Sequence, residues 1–124
     1  MKRLACALLV LAAGEGVAAA ADDPGAKLFR NHCATCHVMA DDGRKRQGPL
    51  LAGLFTRKAG TAPGFAKYSA GLKAAGWQWT PEQLDLWLTN PKALVPDTFM
   101  GAYKQKDGEK RQTIIGYIKA NGGM

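Results

Sequence analysis

Cys33-Ala34-Thr35-Cys36-His37 decides how this 124-residue chain is read. Cys-x-x-Cys-His is the attachment motif of c-type haem, and its chemistry explains the spacing. Two thiols on one turn can each add to a porphyrin vinyl group, giving two thioether bonds. The adjoining imidazole of His37 then lies beneath the iron as a ligand. Three plainer readings fit less well. A thioredoxin-like redox pair needs a βαβ context, and no strand alternation surrounds the motif. His32, Cys33, Cys36 and His37 could offer zinc ligands, but structural zinc sites draw on two separated clusters and the sequence has no second one. A disulfide across two intervening residues closes too short a loop to stabilise much.

Upstream of the motif, Lys2 and Arg3 precede an apolar run from Leu4 to Ala13 and then Val17-Ala18-Ala19-Ala20-Ala21. That order of charged, apolar and small residues is the pattern of a secretory signal peptide. The run is too short to span a bilayer, which takes about 20 residues. Residues 1–21 are therefore expected to be a signal peptide cleaved after Ala20 or Ala21, with 22–124 as a single monohaem domain in the periplasm. Cys6 leaves with the leader, as do Lys2, Arg3 and Glu15, so the formal net charge falls from +7 to +6. A domain of this size has limited apolar surface to bury, and a porphyrin at its centre would supply much of the missing core.

Downstream, the pattern is helical with long loops. Asp22 or Asp23 can cap a first helix with Pro24 at its first position; Gly25, Phe29 and Cys33 share one face. Asp41 to Arg46 is a charged, turn-rich loop, and Gly60 to Gly64 is another. Ser69 caps a short helix that Gly76 stops. Thr80-Pro81-Glu82-Gln83 is a strong helix start, Leu84, Trp87 and Leu88 give that helix an apolar face, and Pro91 ends it. Residues 90–103 read as irregular. Asp107 caps a last helix running to Asn121, burying Ile114, Tyr117 and Ile118. The expected class is all-α: three main helices, short helical pieces, and loops wrapped around one covalent haem.

An electron-carrying haem iron takes a second protein ligand. His32 and Met39 lie too near His37 to reach the opposite face, and Met124 is terminal. Met100 follows His37 by 63 residues in a proline-bracketed loop, and a His/Met pair is one that raises the potential. The alternative is that Met100 fills a gap in the core.

Across residues 25–121 the chain resembles a class I cytochrome c. The resemblance rests on Gly25-Ala-Lys-Leu-Phe29, Cys33 to His37, Gly48-Pro49, Gly53-Leu54, Arg57, Ala62-Pro63-Gly64-Phe65, Trp79, Leu88, Asn90-Pro91-Lys92, Pro96, Thr98, Met100, Ile114 and Tyr117. It implies the cytochrome c fold, with one haem c joined to Cys33 and Cys36. It implies His37 and Met100 as axial ligands, and the Pro49 carbonyl on the free nitrogen of His37. It places Arg57, Trp79 and Thr98 near the haem propionates and crosses the first and last helices at Gly25, Phe29, Ile114 and Tyr117. Several positions depart from the family pattern. Trp87 stands for a Tyr, Lys67 for a Tyr with Tyr68 beside it, Leu72 for an Asn, Asp97 for a Gly, Phe99 for a Lys, and Ala102 for a Phe that Tyr103 could replace. From these departures we expect a turn at Asp97 with more strain or a different shape, and a Met100 loop held less firmly than usual.

The function expected is a periplasmic one-electron carrier, a monomer with no catalytic residue. Its surface cations, among them Lys27, Arg30, Arg44, Lys45, Arg46, Lys92, Lys104 and Lys106, would steer it to redox proteins with acidic docking surfaces. No nucleic-acid motif is visible, and the mature chain has no transmembrane segment. The rival readings are a haem enzyme or sensor with an open iron site, and a dedicated cytochrome subunit of a periplasmic dehydrogenase.

Overall fold

The computed structural model describes residues 23–124, so the expected leader, residues 1–21, lies outside the described residues. Asp23 caps the first helix, α1 (Pro24–His32), its carboxylate accepting from the Ala26 N–H at 2.7 Å. Ser69 caps α2 (Ala70–Ala74) through the Leu72 N–H, and Thr80 caps α3 (Pro81–Thr89) through the Gln83 N–H. Asp107 caps α5 (Gly108–Ile118) by accepting from both Glu109 and Lys110. These are the short polar side chains that hold the orphaned donors of a first helical turn.

Two elements differ from the sequence-based expectation. Pro91 does not only end α3; it also opens a one-turn helix, α4 (Pro91–Leu94), with extended Asn90 as the corner between them. A proline that cannot continue one helix is well suited to the first position of the next. The last helix keeps regular geometry only to Ile118. The chain then makes a wide π-type turn over Lys119–Gly123, where Gly122 adopts φ 105°. That turn docks on the 3₁₀ turn Leu54–Thr56, the Gly53 N–H bonding the Gly122 carbonyl at 2.6 Å.

α5 is the central strut, packed against α1 and α3. At the α1 crossing a Cβ on Gly25 would stand 2.7 Å from the Tyr117 Cβ, so only glycine permits this approach. Beside it the Phe29 and Tyr117 rings lie 5.2 Å apart. At the α3 crossing the Arg111 guanidinium bonds Asp85 at 2.9 Å and the carbonyls of Gln105 and Lys106. Ile114 is fully buried, and Ile115, which the pattern did not mark, is buried with Ile118. Among the described residues there is no strand, only an isolated bridge between Lys58 and Gln78 that closes the base of the intervening loop. No described helix is long and apolar enough to cross a membrane.

Leu84, Trp87 and Leu88 of α3, Ile114 and Ile118 of α5, and Leu51 and Leu54 all belong to the core, yet all face one internal cleft. The helices thus bury their apolar faces around a space rather than wholly against one another. Each such side chain contributes about 1.5–3 kcal/mol when fully covered, so the fold's stability depends on what fills that space.

Candidate functional site

The cleft is built from the Cys33–His37 turn outward. As α1 ends, the N–H groups of Cys33 and Ala34 both bond the Phe29 carbonyl, and those of Cys36 and His37 bond the Cys33 carbonyl. This extra turn sets both thiols and the imidazole along one wall. A second segment is then tied to the first: the Gly48 N–H donates to the Cys36 carbonyl and the Leu51 N–H to that of Val38, each at 2.9 Å. Between these ties the Pro49 carbonyl lies 2.8 Å from His37 Nδ1. A carbonyl only accepts, so Nδ1 carries the proton and Nε2 keeps its lone pair. Gly48 is the shelf under the ring, because a Cβ there would stand 2.7 Å from both ring nitrogens. Arg57 braces the segment from the other side, donating to the carbonyls of Leu50 and Ala52. Burial, against the pull of the Pro49 bond and with the Arg57 charge adding to it, lowers the His37 pKa, so the ring is neutral and its lone pair available. Burial, and then the neighbouring Cys36, push the Cys33 thiol up to about 11. Neither cysteine is in a disulfide, and no cluster of three or more His, Cys, Asp or Glu suited to a metal ion exists among the described residues.

Met100 reaches the same cleft from loop 95–103. Its sulfur accepts from the Trp87 indole N–H at 3.2 Å, and its own N–H donates to Thr98 Oγ1 at 3.2 Å. Met39 packs on the core without lining the cleft, and Met124 is exposed. His32 is exposed beyond α1 with its ring 5.9 Å from Tyr103.

Cys33, Cys36, His37, Pro49, Arg57, Trp79, Thr98 and Met100 all line this one cleft. Other residues complete the wall. Tyr68 takes a place beside Lys67 on the wall, its hydroxyl accepting from the Ala62 N–H at 3.1 Å. Trp87 and Trp79 meet edge to face at 5.7 Å. Phe99, 78% exposed, and Phe65 also line the cleft; Tyr103 does not and turns to His32 instead. Of the two outcomes expected at Asp97, strain is absent. No non-glycine residue described has a positive φ, and the Asp97 carboxylate accepts from the Gly71 N–H at 2.9 Å.

The space enclosed is about 1100 Å³ with its open mouth included, at the upper end of cofactor sites. Two adjacent thiols, an oriented imidazole, a thioether and apolar walls together fit a porphyrin iron. They define a helical protein built around a covalently attached haem.

A profile of the cytochrome c family matches residues 23–121. Cytochrome c2 of Blastochloris viridis is 39% identical over 119 residues, covering 96% of this chain and 93% of that protein. Cytochrome c of Chlamydomonas reinhardtii is 43% identical over 95 residues, 77% of this chain and 84% of its own. Cytochrome c type-1 of Ascaris suum is 39% identical over 97 residues. The chain belongs to the cytochrome c family: it has the all-α cytochrome c fold, carries one covalently bound c-type haem, and is a haem-based electron carrier.

Proposed function

We propose that this chain is a periplasmic one-electron carrier, not an enzyme, with haem thioether-linked to Cys33 and Cys36 and iron held between His37 Nε2 and Met100 Sδ. The observation that carries the reading is the His37 Nδ1 bond to the Pro49 carbonyl, which orients a neutral imidazole for ligation. Bound haem supplies a ferric/ferrous couple and an edge from which one electron leaves. The chain's own residues do the rest. The Pro49 carbonyl and the Gly48 shelf fix the imidazole plane, raising its basicity as a ligand. The Trp87 N–H holds the Met100 sulfur in place and draws electron density from it, which disfavours the ferric state. The Arg57 guanidinium, the Trp79 indole and the hydroxyls of Thr98 and Tyr68 sit on the cleft wall where they can hold the propionate end. The apolar walls exclude water, and a dry site lets these fixed dipoles act at full strength.

Export is part of the proposal, with residues 1–21 as the cleaved leader and 22–124 as the mature monohaem domain. The match to the Blastochloris protein supports it, since covering 96% of the chain takes in most of that leader. Lys27, Arg44, Lys45, Lys92, Lys104 and Lys106 are exposed, whereas Arg46 is half-buried and paired with Asp42. A monomer with this basic surface suits transient encounters with acidic redox proteins.

The test is a reductive titration of the purified protein followed by absorption, with carbon monoxide added at the end. The carrier reading predicts a single reversible one-electron step and a ferrous form slow to bind carbon monoxide. Immediate binding would mark an open iron site and favour the enzyme reading.

A further inference from the structure

We infer that Asp97 is a positioning residue for Met100: its carboxylate ties loop 95–103 to α2 and sets how often that loop lifts from the cleft. The inference rests on Met100 as the second iron ligand.

The tie joins two walls of the cleft that are remote in sequence. Asp97 Oδ2 accepts from the Gly71 N–H at 2.9 Å across 26 residues. On one side of this bond Ser69 and Leu72 line the cleft; on the other, Thr98, Phe99 and Met100 do. The approach is purpose-shaped at Gly71. A Cβ there would overlap the Asp97 carboxylate and stand 2.9 Å from Val95 Cγ1, so no other residue allows the loop so close.

The α2 side depends on polar ties. α2 is five residues long and contains no buried residue, so packing alone holds it weakly. Its first-turn donors are shared out, Leu72 to the Ser69 hydroxyl at 3.2 Å and Gly71 to Asp97. On the loop side the tie is linked rigidly to the sulfur-bearing residue. The Thr98 N–H bonds the Val95 carbonyl at 3.1 Å, closing the turn that contains Asp97, and the Met100 N–H bonds Thr98 Oγ1. Lifting Met100 therefore strains the turn and breaks the Asp97 bond. A bond from a backbone N–H to a carboxylate is among the stronger kinds, although solvent reaches this one and reduces its contribution. Val95 and Thr98 of the loop are buried, so the Asp97 bond adds to that packing, and its loss raises how often the loop opens without freeing it entirely.

The experiment uses ferric holoprotein. The rate at which imidazole abolishes the far-red iron–sulfur absorption reports loop opening, and hydrogen exchange at the amides of residues 98–101 reports it independently of iron. Asp97→Ala should raise both by about fivefold. Asp97→Asn, whose amide oxygen can still accept from Gly71, should stay within about twofold of wild type. Gly71→Ala should speed opening on its own, and combining it with Asp97→Ala should add little, because both break the same contact. Unchanged exchange and imidazole rates in Asp97→Ala would overturn the inference, as would Asp97→Asn behaving like Asp97→Ala. A wild-type protein without the far-red band would refute Met100 ligation. Faster exchange at 98–101 in Asp97→Ala would then still support the tether, and unchanged exchange would reject it.

Discussion

Gly48→Ala adds one methyl group beneath His37, and the structure lets its cost be worked out. The new Cβ would stand 2.7 Å from Nδ1 and Nε2 and closer still to Cε1, whereas ordinary contact begins at 3.4 Å, so the ring must withdraw by more than about 0.7 Å. The backbone has little room to yield instead, because the Gly48 N–H is fixed to the Cys36 carbonyl at 2.9 Å. Withdrawal stretches the 2.8 Å bond to Pro49 past about 3.5 Å, the limit of a useful hydrogen bond. Losing that bond costs about 0.5–1.5 kcal/mol, and residual overpacking costs about 1–3 kcal/mol. The sum is about 1.5–4.5 kcal/mol, readable as a lowered guanidinium midpoint of the ferric holoprotein with unchanged slope. Gly116→Ala is the control. Its Cβ would meet nothing within 4 Å, and a helical glycine replaced by alanine should stabilise by about 0.5–1 kcal/mol. A Gly48→Ala protein within about 0.5 kcal/mol of wild type, with an unchanged ferric spectrum, would refute the idea that His37 rests on this shelf.

Three further outcomes are expected. Trp87→Phe removes the N–H from the Met100 sulfur, making it a better donor to ferric iron, so the potential should fall by roughly 20–60 mV; an unchanged or raised potential in voltammetry counts against that role for the indole. Acid–acetone extraction should leave haem on the wild-type protein, and Cys36→Ser should yield much less mature holoprotein with at most one thioether by mass; free haem in the acetone phase from wild type would contradict attachment at Cys33 and Cys36. The second-order rate with an acidic redox acceptor should fall steadily as salt is raised, and a rate indifferent to ionic strength would exclude steering by the lysines.

What was legible in the sequence was local. Cys33, Cys36 and His37 are contiguous, so their chemistry shows without a fold. Asp23, Ser69, Thr80 and Asp107 bond donors two or three residues ahead, so the helix starts showed too. Pro91 reads locally as a terminator, yet the same ring that stops α3 starts α4. Asp97 is more instructive. Judged by its own turn it was a poor replacement for glycine, but its partner is the Gly71 N–H, which no local pattern could supply. The Gly48 shelf and the Arg57 brace are equally non-local. Tyr68 was visible beside Lys67, but nothing in the sequence said which of the two would reach the wall; the structure places both there.

Ferric far-red absorption at neutral pH tests the central claim most directly, because it reports an iron–sulfur bond and nothing else in this chain. The account predicts that the wild-type protein shows the band and that Met100→Ala loses it while keeping its covalent haem. No band in the wild-type protein, or one that survives in Met100→Ala, would contradict the account.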